Sequence, residues 1–252
     1  MTDPAASAQT DTPAQPVITV VTGCAGGLGA EIVAHLQTAG HTIIGIDFKP
    51  TAGPDVMITG DVGSPELWSE LSELLNAQRL RLRGLVNCAG ASTRTTITTT
   101  SAEDWHQILH SNLTSTWLGM KTCHPYFVPN VSSIVNIGSI YGRLPPPGPP
   151  NLPTSPAYQA AKAGIVALTR TGASEFGPKG IRVNCIEPGL FATPLTQSLS
   201  SEEFASRMRP VAMRRSGELS ELASVVEFLL SEKASYINGT TIGVDGGYPL
   251  CL

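Results

Sequence analysis

The stretch Val17-Ile-Thr-Val-Val-Thr-Gly-Cys-Ala-Gly-Gly-Leu-Gly29 joins an apolar run to a cluster of glycines. The run Val17–Val21 predicts a buried parallel strand, and apolar residues spaced three and four apart from Leu28 onward predict a helix. Between a strand and a helix N-terminus, glycines let the backbone approach a pyrophosphate, which the free N–H groups of the helix bind. The glycines of this turn are Gly23, Gly27 and Gly29. Their spacing departs from the common G-x-G-x-x-G, so an ordinary glycine-rich turn is the alternative.

The next predicted strand, Thr42–Asp47, ends in a carboxylate. Asp47 lies eighteen residues after Gly29. This is close to the spacing of about 20 expected for the acid that accepts the ribose hydroxyls of a dinucleotide. A carboxylate there repels a 2′-phosphate, so the sequence predicts NAD in preference to NADP. Lys49 is the nearby cation that would weaken this preference, and a turn residue or helix cap is the alternative role for Asp47.

The segment Tyr158-Gln-Ala-Ala-Lys162 lies in a predicted helix and places a phenol and an ammonium on one helix face, at positions i and i+4. A phenol ordinarily has a pKa of about 10. A neighbouring ammonium stabilises the phenolate and lowers that pKa, so Tyr158 is a candidate general acid/base near neutral pH. Taken alone, the pair is equally typical of an exposed polar helix face.

Ser139 follows the predicted strand Ser133–Ile137, and its hydroxyl can donate a hydrogen bond to an oxygen on which charge develops. A strand-end serine that binds backbone is the alternative. A hydrolase nucleophile is not predicted, because positions 137 and 141 are Ile and Tyr instead of the glycines of a G-x-S-x-G elbow. Asn112 lies inside a long helical pattern and, by itself, is typical of a buried, hydrogen-bonded asparagine.

The alternation of strand and helix patterns predicts an α/β fold: a single Rossmann-type, doubly wound domain at residues 17–252, with a seven-stranded parallel sheet flanked by helices. Residues 1–16 lack an apolar core and are predicted to form a flexible tail. Helices are predicted to begin near Gly27, Pro65, Ala102, Pro156 and Leu219. The predicted strands are Val17–Val21, Thr42–Asp47, Val56–Thr59, Gly84–Cys88, Ser133–Ile137, Ile181–Ile186 and Thr241–Val244.

In their order and spacing, these motifs resemble those of the classical short-chain dehydrogenase/reductases over about Val17 to Tyr248. The resemblance implies an oxidoreductase that interconverts a secondary alcohol and a ketone with NAD, NADP being less favoured, and that forms a homo-tetramer or homo-dimer. The matching motifs are Thr22-Gly-x-x-x-Gly-x-Gly29, Asp61-Val62, Asn87-Cys-Ala-Gly90, Asn112, Ser139, Tyr158-x-x-x-Lys162, Pro188-Gly189 with Thr193, and Asp245-Gly-Gly247.

The resemblance also implies a role for each matching residue. Tyr158 takes or gives the hydroxyl proton, Ser139 orients the substrate oxygen, and Lys162 binds the nicotinamide ribose. Asn112 completes a proton relay that runs from Lys162 through water to solvent. The implied cofactor contacts are Gly23, Gly27, Leu28 and Gly29 in the glycine turn, Asp47 at the ribose, Asp61 and Val62 at the adenine, Asn87, Ala89 and Gly90 beyond the fourth strand, Tyr158 and Lys162, and Pro188, Gly189 and Thr193 at the carboxamide.

Two features depart from the family pattern. Cys88 stands where the family usually has an asparagine, a substitution expected to alter packing more than chemistry. Ser139 and Tyr158 are nineteen positions apart, which is more than is typical, and the extra chain forms a proline-rich loop at 143–157. We expect this loop to rim the substrate pocket; a proline-rich ligand for an SH3-like partner is the alternative. The segment 191–215 is predicted to be a substrate lid.

Composition argues against several classes of partner. The 252-residue chain has a net charge of −4 and a pI of about 5.7, without a basic stripe, so nucleic acid is not expected. It has no apolar run of about 18 residues, so no membrane span is expected. Five scattered cysteines without a C-x-x-C predict reduced thiols in a cytoplasmic protein. His106 and His110 have a zinc-like spacing but no third ligand, and no metal is predicted.

The sequence predicts the type of reaction more closely than it predicts the substrate. Candidate lining residues of the pocket are apolar and predict an alcohol or ketone with a hydrocarbon body, cyclic bodies included. A catalytically silent NAD-binding regulatory protein of the same fold is the first alternative function. An epimerase or dehydratase, which usually needs a larger substrate domain, is the second. The candidate lining residues are Leu144, Leu152, Trp117, Phe191 and Met213.

Overall fold

Seven parallel strands form one sheet in the computed structural model, which describes residues 17–147, 153–193, 196 and 199–248. The strands are β1 (Val17–Thr22), β2 (His41–Asp47), β3 (Val56–Thr59), β4 (Leu82–Asn87), β5 (Ser133–Ile137), β6 (Arg182–Pro188) and β7 (Thr241–Val244). Their order across the sheet is β3-β2-β1-β4-β5-β6-β7. The predicted doubly wound α/β fold and its seven strands are confirmed, with strand ends shifted by one or two residues. The tail predicted at 1–16 lies outside the described residues.

The five predicted helix starts coincide with observed ones. The helices are α1 (Gly27–Thr38), α2 (Pro65–Ala77), α3 (Ala102–Leu109), α4 (Ser115–Cys123), α5 (Pro156–Phe176), α6 (Ser201–Met208) and α7 (Leu219–Leu230). Local chemistry sets these starts, because proline occupies the first position of α2 and α5, and Ser101 caps α3 by accepting the Asp104 N–H. Among the described helices, none has both the length and the hydropathy to cross a membrane.

Helices bury both faces of the sheet. Helices α2 and α4 pack on one face through Trp68, Leu71 and Leu118, while α1 and α7 pack on the other. Burial on both faces explains why the strands read as continuous apolar runs instead of alternating ones. The indole N–H of Trp68 also donates to the Val62 carbonyl at 2.8 Å, which holds the segment after β3 against the core.

The order of the strands reverses at β1, which pairs with β2 on one side and with β4 on the other. The helix that follows β1 therefore covers one face, and the helices that follow β4 cover the other. Such a reversal leaves a crevice at the carboxyl ends of the two central strands, and ligands bind there in open α/β sheets. The predicted motifs follow these strand ends, so the topology brings them to one edge of the molecule.

The buried strand β2 offers a test of the core. Replacing Ile43, which is fully buried, by alanine should lower the free energy of unfolding by about 2–5 kcal/mol, because it leaves a cavity between the sheet and α1. Replacing Ile97, which is 81% exposed, should change it by less than about 0.5 kcal/mol. Urea unfolding followed by circular dichroism measures both. Equal losses in the two variants would contradict this assignment of core and surface.

Candidate active site

A cleft of about 360 Å³ opens at the carboxyl ends of the central strands. Chain segments that follow β1, β4, β5 and β6 line it, together with the first turns of α5. Nine predicted site residues are part of this lining: Leu28, Gly90, Asn112, Ser139, Tyr158, Lys162, Pro188, Gly189 and Thr193. The remaining predicted cofactor residues are outside its described lining: Gly23, Gly27, Gly29, Asp47, Asp61, Val62, Asn87 and Ala89. The cleft thus contains every residue predicted to take part in the chemical step.

Helix α5 carries Tyr158 in its first turn and Lys162 one turn later, so both side chains face the cleft. Lys162 is only 4% exposed, and its ammonium donates to the Ile137 carbonyl, the last residue of β5, at 2.8 Å. The same ammonium lies 5.4 Å from the centre of the Tyr158 ring. The contact with β5 fixes the cation beside the phenol.

Ser139 follows β5 and begins a short 3₁₀ turn, Ile140–Gly142. Its Oγ accepts the Tyr141 N–H at 3.1 Å and is almost fully buried. Because this contact uses only a lone pair, the hydroxyl hydrogen remains available to a substrate oxygen. Ser139 therefore binds backbone, as the alternative for a strand-end serine expected, and its hydroxyl can still donate a hydrogen bond to a substrate.

Asn112 lies in a π-helical turn, His110–Thr114, that joins α3 to α4. Turns of this kind inside helices are frequent at functional sites. The Asn112 amide donates to the carbonyls of Ala91 and Ile108, both at 2.9 Å. Its Oδ1 is buried and has no hydrogen-bond partner among the described residues. This oxygen borders Gly90, as does the Lys162 ammonium, so an unsatisfied acceptor and a cation share one space.

The glycines of the turn after β1 allow close packing of the backbone around the start of α1. Gly23 has a φ of 71°, and a Cβ there would lie 2.8 Å from the Ala89 Cα. A Cβ on Gly29 would collide with the Gly23 carbonyl. Helix α1 has Gly26 as its N-cap, with neither a capping side chain nor an acidic residue in its first turn. Its N-terminal N–H groups and positive dipole end are thus available to an anion, which fits a pyrophosphate.

Two carboxylates flank this turn on the side predicted for adenosine. Asp47, at the end of β2, accepts the N–H groups of Ala25 and Lys49, each at 3.0 Å. Asp61 accepts from the Gly63 N–H at 2.8 Å and contacts the His110 ring at 2.9 Å. Its pKa is below its usual value, because these hydrogen bonds outweigh the opposing effect of burial. His110 therefore holds a carboxylate, and the described residues contain no cluster that could hold a metal ion.

At the end of β4, neighbouring side chains point to different places, one into the core and the next into the cleft. The Asn87 side chain is buried and donates to Asn136 Oδ1 at 2.8 Å, so it faces the core instead of the cleft. Cys88 lines the cleft in the position of the missing asparagine. Burial raises the pKa of the Cys88 thiol to about 11, against the opposing effect of the Lys162 charge. The thiol is therefore neutral near pH 7 and contributes apolar surface.

Two segments outside the sheet close the cleft. The loop predicted at 143–157 contributes Pro146, Pro153, Thr154 and Ser155, with residues 148–152 outside the described part of the chain. The segment predicted as a lid, 191–215, contributes Phe191, Thr193, Thr196, Leu199 and Arg207. An ion pair between Arg94, after β4, and Glu203 of α6 holds the segment 191–215. The Ser155 N–H donates to the Thr95 carbonyl at 2.9 Å and holds the end of the proline-rich loop.

Glu187, to which the sequence assigned no role, anchors the other end of the proline-rich loop. It is 2% exposed, and its Oε2 lies 2.9 Å from Nε of Arg143, the first residue of the loop. Burial raises the pKa of Glu187, and the Arg143 charge opposes that effect. The ion pair therefore offsets the cost of burying the Glu187 carboxylate, and it holds the loop beside the cleft.

Of the five residues predicted to line the pocket, Phe191 does so, while Leu144, Trp117 and Met213 do not. Trp117 lies in an outer groove between α4 and α5, and Met213 lies near the Asp245-Gly-Gly247 turn. Leu144 packs on a small core cluster around Tyr248, and Leu152 is outside the described residues. Hydrophobicity alone does not show which side of a helix or loop a residue faces. Lining residues that the sequence did not single out include Arg94, Tyr141 and Leu190, and, within the predicted loop and lid, Pro146, Leu199 and Arg207.

Known proteins match almost the whole chain. A family model described as Enoyl-(Acyl carrier protein) reductase matches residues 23–249. Cyclopentanol dehydrogenase of Comamonas sp. (strain NCIMB 9872) is 31% identical over 246 residues, which cover 92% of this chain and 96% of the relative. The (3R)-3-hydroxyacyl-CoA dehydrogenase of Homo sapiens is 31% identical over 252 residues, covering 91% of this chain and 94% of the relative.

The same fold occurs in solved structures. The ligand-free structure of Thermoplasma acidophilum aldohexose dehydrogenase superposes with a TM-score of 0.82 at 26% identity, covering 94% of this chain and 95% of that one. Each match spans nearly the full length of both proteins. The similarity therefore includes the sheet, the segments that line the cleft and the segments that lie over it.

The Arg143–Glu187 ion pair gives a pH-dependent test of the anchored loop. In Arg143→Gln the buried carboxylate loses its counter-charge, so we expect a loss of about 1–3 kcal/mol in unfolding free energy at pH 7.5. The pKa of Glu187 is raised on folding from its ordinary value of 4.5. The contribution of this group to the free energy of unfolding is therefore fully present below about pH 4.5 and is lost as pH rises through the folded pKa. Removing Arg143 raises that pKa further.

Thermal unfolding at pH 7.5 and pH 5 measures this effect. The deficit of Arg143→Gln relative to wild type should be larger at pH 7.5, and adding Glu187→Gln to the variant should abolish the difference between the two pH values. A deficit that is the same at both pH values would show that the buried charge of Glu187 is not its cause.

Proposed function

Because the chain belongs to the classical short-chain dehydrogenase/reductase family, we propose that it interconverts a small secondary alcohol and its ketone with NAD, using Tyr158 as general acid/base. Members of this family are oxidoreductases that use a nicotinamide cofactor. The observation that carries the proposal is the convergence of three groups on one cleft: the Tyr158 phenol, the buried Lys162 ammonium and the Ser139 hydroxyl.

Each group has a defined task in this reaction. The cofactor, when bound, supplies the acceptor or donor of the hydride. Tyr158 takes the hydroxyl proton at its phenolic oxygen as the alcohol becomes a ketone, and returns it in reduction. Ser139 donates a hydrogen bond to the substrate oxygen and stabilises charge that develops there. Lys162, fixed by the Ile137 carbonyl, places its positive charge beside the Tyr158 ring.

Asn112 fits the role of a relay residue. Its buried Oδ1 lacks a partner among the described residues, and a buried acceptor of this kind is usually satisfied by a donor such as water. The space beside Gly90 that it shares with the Lys162 ammonium is where such a water would lie. Protons would then pass between Tyr158 and solvent through Lys162 and this water.

The remaining predicted residues would hold the two ends of the cofactor. The uncapped N-terminus of α1 would bind the pyrophosphate, and Asp47 would accept hydrogen bonds from the adenosine ribose. Asp61 and Val62 would contact the adenine, while Pro188, Gly189 and Thr193 would contact the carboxamide. Asp47 is also the argument for NAD, since its charge repels the 2′-phosphate of NADP.

The cleft favours a small substrate with a hydrocarbon body. Its volume is at the lower end of the about 300–1,000 Å³ usual for ligand pockets, and the nicotinamide must share it. Leu190, Phe191 and Leu199 provide apolar lining. A relative named for cyclopentanol supports a compact, cyclic alcohol as one option. The proline-rich loop at 143–157 would wall the pocket and set its size, a position that disfavours the SH3-ligand alternative.

We also propose a cytoplasmic homo-tetramer or homo-dimer. Trp117 is 46% exposed in a shallow groove between α4 and α5, which suits burial against another copy of the chain. The described cysteines are all unpaired, as in a reducing compartment. A catalytically silent regulatory protein remains the alternative function, and the presence of all four chemical groups at one cleft argues against it.

Removing the phenolic oxygen tests the chemical role directly. Tyr158→Phe should lower turnover of secondary alcohols by at least about 10²-fold, because the general acid/base is lost. Affinity for NADH, measured by fluorescence titration, should stay within a factor of about two. Tyr236→Phe, at a fully exposed tyrosine, is the matched control and should leave both unchanged. Turnover retained in Tyr158→Phe would rule the assignment out.

The cofactor preference depends on the charge of Asp47. In Asp47→Asn the repulsion of a 2′-phosphate is removed while the shape of the side chain is kept. The ratio of kcat/KM for NAD to that for NADP should fall at least about tenfold, equivalent to about 1.4 kcal/mol. Asp104→Asn, in the first turn of α3, removes the same charge away from the cleft and should not change the ratio. An unchanged ratio in Asp47→Asn would refute this basis for NAD selection.

A further inference from the structure

All charged side chains in the described lining of the cleft are cationic: Arg94, Lys162 and Arg207. The protein as a whole has the opposite sign, with a net charge of −4. A pocket that contains cations and no carboxylate attracts anions. The pyrophosphate does not account for this lining, because the structural features that fit it lie at the glycine turn and the N-terminus of α1.

Two of the three cations are already engaged. Arg94 forms its ion pair with Glu203, and the Lys162 ammonium donates to the Ile137 carbonyl. Arg207 differs, because it forms neither an ion pair nor a side-chain hydrogen bond with any described residue. Its Nε is buried and also lacks a hydrogen-bond acceptor there. A buried donor of a charged group is costly when unsatisfied, so a missing acceptor is indicated.

Tyr141 adds a second donor at the same place. The Arg207 guanidinium lies 5.6 Å from the centre of the Tyr141 ring, and the Tyr141 hydroxyl is likewise buried without a partner among the described residues. Burial raises the pKa of the Tyr141 phenol above its usual value, against the opposing effects of the Arg207 charge and of polar contacts with the Tyr248 and Arg207 side chains, so the group is neutral near pH 7. The Tyr248 hydroxyl is also buried without a partner in hydrogen-bond geometry among the described residues, so the Tyr141, Tyr248 and Arg207 side chains form one polar cluster that lacks an acceptor. Tyr248 packs edge-on against this ring, with centroids 6.3 Å apart, and holds it in place.

We propose that Arg207 and Tyr141 form a subsite for a carboxylate of the substrate, which makes the substrate a small hydroxy acid or the corresponding oxo acid. This inference rests on the proposed alcohol–ketone function, since it names the substrate of that cleft. A carboxylate matches the planar guanidinium and accepts from a phenol at the same time. It is also small enough for a cleft that the nicotinamide shares, and its single negative charge matches the single positive charge of Arg207. The apolar residues Leu190, Phe191 and Leu199 would contact the carbon chain between the carboxylate and the carbinol.

The subsite would also connect substrate recognition to the lid. Arg207 lies on α6, one turn after Glu203, whose pairing with Arg94 already fixes this helix over the cleft. A carboxylate bound between Arg207 and Tyr141 would join α6 to the segment that carries Ser139. Arg207 is thus a specificity-determining residue of the cleft.

Binding to the NADH complex tests the subsite without requiring turnover, because NADH and a hydroxy acid cannot react with each other. The probes are 3-hydroxybutyrate and 3-hydroxycyclohexanecarboxylate, each paired with its methyl ester, which keeps the carbinol and removes the charge. Isothermal titration to the wild-type NADH complex should show each acid binding at least about tenfold more tightly than its ester. Arg207→Gln should abolish this preference, and Tyr141→Phe should weaken acid binding with little effect on the ester.

Controls separate a binding defect from a folding or cofactor defect. Arg209→Gln removes an exposed arginine just after the end of the same helix and should behave as wild type. Thermal unfolding of Arg207→Gln should match wild type, and its affinity for NADH should be unchanged. A large loss of NADH affinity in Arg207→Gln would mean that the arginine binds the cofactor phosphates, and this would overturn the subsite.

Failure of the subsite can be distinguished from failure of the proposed function. Equal binding of acid and ester, no binding of either acid at millimolar concentration, or acid binding retained in Arg207→Gln would each overturn the subsite. Acid binding that requires Arg207, together with no oxidation of any secondary alcohol by NAD, would support the subsite and reject the proposed reaction.

Discussion

The ammonium of Lys162 is buried beside the end of β5, and the geometry of the candidate site depends on how it is satisfied. A buried cation is costly unless polar partners surround it. The Ile137 carbonyl provides one partner at 2.8 Å, and the orphaned Oδ1 of Asn112 borders the same space. Because the carbonyl belongs to the sheet and the ammonium to α5, this contact ties the first turns of the helix to the end of the strand. Tyr158 lies one turn earlier on the same helix, in the lining of the cleft.

Around this fixed centre, ion pairs hold the segments that the sheet does not. Arg143 and Glu187 attach the beginning of the proline-rich loop to β6, and Arg94 and Glu203 attach α6 to the segment after β4. In the proposed reaction the sheet and α5 would supply the chemical groups, whereas these two segments would contact the body of the substrate. Differences in specificity between members of this fold can then arise in the segments without disturbing the chemistry.

The sequence predicts all seven strands and five of the seven described helix starts, because most of them have a local signal. Apolar runs mark the strands, and proline or a capping serine marks the beginnings of α2, α3 and α5. The convergence of Ser139, Tyr158 and Lys162 was also predictable, since the ends of parallel strands meet at one edge of the sheet.

What the sequence could not predict depends on contacts between distant segments. The Arg143–Glu187 ion pair and the approach of Arg207 to Tyr141 join residues that no local pattern relates. The π turn at Asn112 interrupts a helical pattern that reads as continuous. Trp117 and Met213 were placed in the pocket on hydrophobicity alone, which does not show the direction in which a side chain points.

The central claim is that one cofactor spans the glycine turn and the cleft, with its reactive end at Tyr158. A crystal structure of the protein grown with NADH tests this most directly. We predict the adenosine beside Asp47, the pyrophosphate at the N-terminus of α1, and the nicotinamide ring in the cleft facing Tyr158 and Ser139. A nicotinamide ring found outside the cleft, or NADH bound at a different edge of the sheet, would contradict the claim.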